Sequence, residues 1–148
     1  MKFAFYKAHN SVFDALIRWW ENGTYSHVEA ILEEFDDGVT FTIASSKPGI
    51  GIRTTTQILP ASDWDIIEAP GDVESVTKWF KDRDGAKYDY LGILGMIIRP
   101  VEAETDRRYF CSEAVGESLG ISEAWRFDPN GLYAILQALQ VVSVNKQG

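Results

Sequence analysis

A single cysteine, Cys111, and only two histidines, His9 and His27, stand among the 148 residues. One cysteine excludes an internal disulfide, and one cysteine with two histidines makes a structural zinc site hard to assemble. Positive charge is also scarce. Lys and Arg total 14 against 22 Asp and Glu, a formal charge of −8, with neither a basic run nor a basic tail. That balance argues against nonspecific binding to nucleic acid or to an anionic membrane surface. No apolar stretch approaches the roughly 20 residues of a membrane span. The opening Met1-Lys2-Phe3-Ala4-Phe5-Tyr6-Lys7 lacks the apolar run of a signal peptide, so a cytoplasmic location is expected, or release by a route other than secretion. Internal repeats and low-complexity segments are missing too, and residues 1–148 read as one domain. At 45% hydrophobic and 24% charged, the composition is that of a globular chain able to bury a sizeable core.

What is present centres on Cys111. Cys111, Ala114, Val115, Ser118 and Leu119 recur at i, i+3, i+4, i+7 and i+8, one face of an amphipathic helix, and Gly120 is a natural stop. Cys111 therefore belongs to the first helical turn, where unpaired backbone N–H groups and the positive end of the macrodipole favour a thiolate over a thiol. The bland alternative is a small buried hydrophobe. A catalytic cysteine needs a histidine from elsewhere, and His27 opens a strand-like run, Tyr25 to Leu32. Side chains alternate along a strand, so His27 and Glu29 share one face while Ser26 and Val28 point to the other. A histidine at the start of a strand and a cysteine at the start of a helix are what a thiol–imidazole pair requires.

The remaining chain supplies the frame. Lys2 to Ala8 reads as a strand; Ser11 caps a helix over Val12 to Glu21, with Trp19 and Trp20 as core and rim. Asp36-Asp37-Gly38 predicts a hairpin turn into a strand over Val39 to Ala44. After the Gly49-Ile50-Gly51 turn, Ile52 to Ile58 is a threonine-rich strand, and Trp64 to Glu68 another. Asp72 caps a helix from Val73 to Asp82 with Val73, Val76, Trp79 and Phe80 inward. Lys87 to Ile98 suits a buried helix, Val101 to Arg107 a polar loop, Leu132 to Leu139 a short helix, and Val141 to Val144 a last strand. Other candidates have plain readings. His9 is a loop residue, Arg107 and Arg108 are surface charges, Glu33 to Asp37 is a solvated hairpin tip without calcium-loop spacing, and Gly49-Ile50-Gly51 lacks the third glycine of a nucleotide fingerprint.

Four stretches in order, Tyr25-Ser26-His27-Val28-Glu29, Ala44-Ser45 through Gly49-Ile50-Gly51-Ile52-Arg53, Tyr88-Asp89-Tyr90-Leu91-Gly92 and Phe110-Cys111-Ser112-Glu113-Ala114-Val115, resemble the permuted branch of the NlpC/P60 superfamily, in particular its small bacteriophage forms. In that branch the histidine strand precedes the cysteine helix, as here. The resemblance covers Lys2 to about Gly120 and implies an α+β, papain-like fold: an antiparallel sheet packed against helices, with the cysteine at a helix N-terminus.

By that likeness Cys111 is the nucleophile and His27 the base of a cysteine peptidase or amidase acting on a peptide or acyl substrate, cell-wall peptide among them, with no cofactor or metal needed. The Tyr88 hydroxyl and the Cys111 N–H would hold the oxyanion, and Tyr25 and Ser45 are candidate substrate contacts. Relatives usually carry a polar residue on the strand after the histidine to orient the imidazole. Phe41 to Ser46 offers neither acid nor histidine, which leaves Glu29, Ser45 or a backbone carbonyl for that task. Two alternatives stay open: a catalytically weak or inactive binding or virion-associated module, and a lipid acyl-thioester hydrolase or acyltransferase. If the chain is phage-encoded, its location would be the host cytoplasm.

Overall fold

The computed structural model describes residues 1–8, 23–88 and 108–145. Alternation in Phe3-Ala4-Phe5 makes β1 (Lys2–Tyr6), which pairs antiparallel with both β2 (His27–Glu34) and β5 (Trp64–Glu68). β2 turns into β3 (Thr40–Lys47), and β3 pairs with β4 (Gly51–Ile58), so a five-stranded antiparallel sheet runs β4-β3-β2-β1-β5. The hairpin between β2 and β3 forms where its Asp-Gly pair predicts. The Asp37 carboxylate accepts the N–H groups of Val39 (3.0 Å) and Thr40 (2.8 Å), and Gly38 takes φ +66°. Gly51 carries a stricter demand, because at φ +90° a Cβ there would lie 2.0 Å from the Ala86 carbonyl oxygen. That oxygen accepts the Ile52 N–H at 2.7 Å, so the absent side chain lets residues 83–86 close on the edge strand.

Three α-helices accompany the sheet among the described residues: α1 (Val73–Asp82), α2 (Cys111–Ser118) and α3 (Pro129–Asn145). Asp72 caps α1 by accepting the Ser75 N–H at 2.8 Å. Val76 and Phe80 are buried, whereas Val73, expected inward, is 37% exposed. As the first helical residue it precedes the turn that meets the core. The strand expected at Val141 to Val144 is instead the end of α3. Asp128 accepts the Gly131 N–H at 2.6 Å, and Pro129 takes the first helical position, where no N–H is needed. Neither glycine nor proline interrupts the helix after Gly131, so it runs on past Leu139 through the β-branched pair Val141 and Val142.

Lys87 and Tyr88, expected to open a helix, form the short strand β6, parallel to β7 (Arg108–Tyr109). The rest of that helix, to residue 98, lies outside the described residues. So do the helix over 12–21 with its Ser11 cap, Trp19, Trp20 and His9, and the polar loop over 101–107.

The sheet buries both faces. Phe3, Phe5, Val28, Ala30 and Ala44 join Val76, Phe80, Ala114, Val115, Leu132 and Leu136 in the main core, where α2 packs on β2 and β3. Ala4, Ile31, Phe41, Ile43 and Leu59 form a smaller cluster with Trp64. The register pairs Phe3 with Ala30 and Phe5 with Val28 on the first face, and Ala4 with Glu29 on the second. No helix among the described residues is long and apolar enough to cross a membrane.

Candidate active site

The chain enters α2 extended at Phe110 (φ −91°, ψ 171°), whose N–H donates to Glu113 Oε2 at 3.3 Å. This is half of a capping box, since a phenylalanine has no side-chain acceptor to complete it. The first helical bond is Ala114 N–H to the Phe110 carbonyl at 3.0 Å, which puts Cys111 at the first helical position. Its own N–H precedes the helical ladder, as the sequence predicts. At the other end Gly120 (φ +76°) donates to the Glu117 carbonyl at 2.9 Å and Ile121 to that of Gly116 at 3.0 Å, closing the helix with a Schellman motif. Ser46 Oγ donates to the Tyr109 carbonyl and ties the end of β3 to the segment entering α2. Cys111 is buried there, 5% exposed, at the end of the sheet where β2 begins.

His27 is the first residue of β2, and its ring lies near enough to Cys111 for the sulfur to bear on the charge of the imidazole. Its Nε2 lies 2.8 Å from Glu29 Oε1. With Nε2 so engaged, Nδ1 is the nitrogen left for the thiol. Glu29 has no exposed surface and is also held by Arg53, whose Nη2 is 2.5 Å from Oε1 and Nη1 3.3 Å from Oε2. Burial alone would push His27 down, but the neighbouring Cys111 and Glu29 outweigh it and lift the imidazole to about 10. Burial would likewise push Glu29 up, yet the His27 and Arg53 charges hold its carboxyl below the usual range. At neutral pH the imidazolium therefore donates to a carboxylate that is itself clamped by a guanidinium.

Glu29 and His27 thus share one strand face, as alternation predicts, and the carboxylate orients the ring. Arg53 is the member that sequence reasoning leaves without a role. β4 offers no local signal for it; the signal is register, since Arg53 pairs with Ser45 and Ala44 with Ala30, so Ser45 stands in the row between Arg53 and Glu29. Ser45 is small enough to leave the guanidinium room to reach across β3.

The other expected residues have internal partners. Ser45 Oγ is buried and donates to the Val28 carbonyl at 2.7 Å, so its proton is engaged within the sheet. Tyr25 is buried in the Phe5–Tyr133 cluster, its hydroxyl donating to Asp65 Oδ2 at 2.8 Å and its backbone bonded both ways by Asn130. Tyr88 is buried on β6, paired with Tyr109, which stands two residues before Cys111.

No family model, curated protein or solved structure matches the chain. Its chemistry therefore stands on the geometry of these side chains. Trp64 lies edge-on to His27 with ring centroids 6.4 Å apart, and Tyr6 packs on Trp64 at 4.9 Å, so aromatic rings flank the imidazole. Among the described residues, no three His, Cys, Asp or Glu side chains are grouped to hold a metal ion.

Proposed function

We propose that the protein is a papain-like cysteine hydrolase of the permuted NlpC/P60 type that cleaves an amide or related acyl bond, with cell-wall peptide among the candidate substrates. The observation that carries this reading is the 2.8 Å contact between His27 Nε2 and the fully buried Glu29, made beside a cysteine at a helix start. A buried carboxylate is costly unless paired, and a pair placed against the sole cysteine has a catalytic use that a core residue lacks.

The thiolate of Cys111 attacks the carbonyl carbon, and the oxyanion is held by the Cys111 N–H and the Tyr88 hydroxyl. The His27 imidazolium gives its proton to the leaving amine, and the acyl group stays on sulfur. Water then attacks the thioester while neutral His27 takes its proton, and the acid leaves as Cys111 and His27 return to an ion pair. Glu29 remains ionised throughout and fixes the ring.

A second reading, a catalytically silent binding module, draws on the 5% exposure of Cys111, which leaves little of the sulfur open to a substrate. Incubation with a panel of peptide amides, esters and acyl thioesters separates the two. The expected result is an acyl adduct on the Cys111 peptide by mass spectrometry, with turnover lost in Cys111→Ser and His27→Ala. Stable folded protein that forms no adduct with any member of the panel contradicts the enzyme reading, and adducts confined to thioesters move the substrate class to acyl transfer.

A further inference from the structure

We infer that Arg53 is a positioning residue, which fixes the Glu29 carboxylate so that Oε1 stays turned toward His27 through every protonation state of the imidazole. The inference rests on the cysteine-hydrolase reading and extends it to a residue outside the reacting group. Its geometry is a fork: Nη2 and Nη1 reach the two carboxylate oxygens at 2.5 and 3.3 Å, and Oε1 is shared with His27 Nε2 at 2.8 Å. The Arg53 side chain is 14% exposed and that of Glu29 1%, so little water can replace either partner.

The chemistry explains why a permanent cation is needed. When His27 passes its proton to a leaving group, Glu29 loses the positive charge on one side. Were Arg53 absent, Glu29 would then be an unpaired buried anion and would take up a proton, after which it could no longer hold the imidazolium form. A guanidinium does not titrate in this range, so Glu29 keeps its charge while His27 cycles. The groups facing this pair among the described residues are Cys111 from α2, Arg53 from β4, Ser45 from β3 and Tyr6 from β1, with Trp64 of β5 edge-on to the ring.

The test is the pH profile of Cys111 alkylation by iodoacetamide in the full chain, for the native protein, His27→Ala, Arg53→Met, Arg53→Lys, Glu29→Gln and the Glu29→Gln/Arg53→Met pair. In Arg53→Met the acid midpoint of the profile is expected to rise by about one pH unit, a roughly tenfold slower reaction below it. Arg53→Lys, which keeps the charge and loses the fork, should move it the same way but less. In the Glu29→Gln background Arg53→Met should add nothing, and that pair carries no unpaired buried carboxylate if the single variant fails to fold. An unchanged midpoint in both single Arg53 variants, or an equal shift with Glu29 already neutral, overturns the inference. A native profile identical to that of His27→Ala would instead remove the hydrolase reading itself, so the two failures are distinguishable.

Discussion

Val28 and Ala30 on one face of β2 and Glu29 on the other are equally dry and opposite in kind. Val28 and Ala30 have no exposed surface and join aromatic and aliphatic side chains of β1, α2 and α3. Glu29, between them in sequence, has none either, yet it faces His27 and Arg53. Burying Val28 and Ala30 stabilises the fold by removing apolar area from water. Burying Glu29 does not follow from that drive, since replacing a buried ion pair with apolar residues of similar volume is often neutral or stabilising. The difference teaches that Val28 and Ala30 serve stability, whereas Glu29, on the same face as the apolar Ala4 and Ile31, carries a constraint stability does not supply.

The comparison breaks most visibly at Glu29. Glu29→Ala leaves Arg53 with an unpaired buried charge, and a loss of about 3–5 kcal/mol is expected in denaturant unfolding, together with slower alkylation of Cys111. Glu29→Met with Arg53→Leu should recover most of the stability and none of the reactivity. Leu136→Ala probes the other face. A loss of about 2–5 kcal/mol is expected from a fully buried leucine in the main core, with the pH profile of Cys111 alkylation in the folded protein unchanged. Were that variant to move the profile as far as Glu29→Ala, the two faces would not be separable.

A more gradual effect is expected from pH alone. His27 is raised from 6.5 to about 10 in the folded chain, so its contribution is fully present below pH 6.5 and is lost as pH rises toward 10. Glu29 is lowered from 4.5, so its contribution is present above that pH and lost as pH falls below it. Unfolding free energy should therefore decline between pH 6.5 and 10, by at most about 1.4 kcal/mol per unit for one proton, and His27→Ala should flatten that decline. Smallest is Asp72→Ala, which removes the exposed cap of α1. It should cost about 1 kcal/mol in thermal or denaturant unfolding and leave Cys111 unaffected.

Much of this frame is legible in local pattern. Cys111 at a helix start follows from the helical spacing of Ala114, Val115 and Ser118 and from Gly120. The pairing of His27 with Glu29 follows from strand alternation, and the β2–β3 hairpin from Asp37-Gly38. What local pattern misses depends on partners distant in sequence. Arg53 reaches Glu29 only because two strand registers bring Ser45 into line between them. Ser45 and Tyr25 read as site residues because they are polar and near His27 in the chain, whereas their hydroxyls are used by Val28 and Asp65. Val141 to Val144 reads as a strand from β-branched composition, and helix propagation from Pro129 overrides it. The papain-like likeness is compatible with the α+β arrangement, a five-stranded antiparallel sheet with helices, but such an arrangement hosts many chemistries.

The most direct measurement is the pH dependence of iodoacetamide alkylation at Cys111, in the native protein and in His27→Ala, with the sole cysteine making the signal unambiguous. A working Cys111–His27 pair predicts rapid alkylation well below pH 8.5, where a free thiol is mostly protonated, and loss of that early reactivity in His27→Ala. Alkylation of both proteins only as a free thiol ionises, or of neither while folded, would contradict the account.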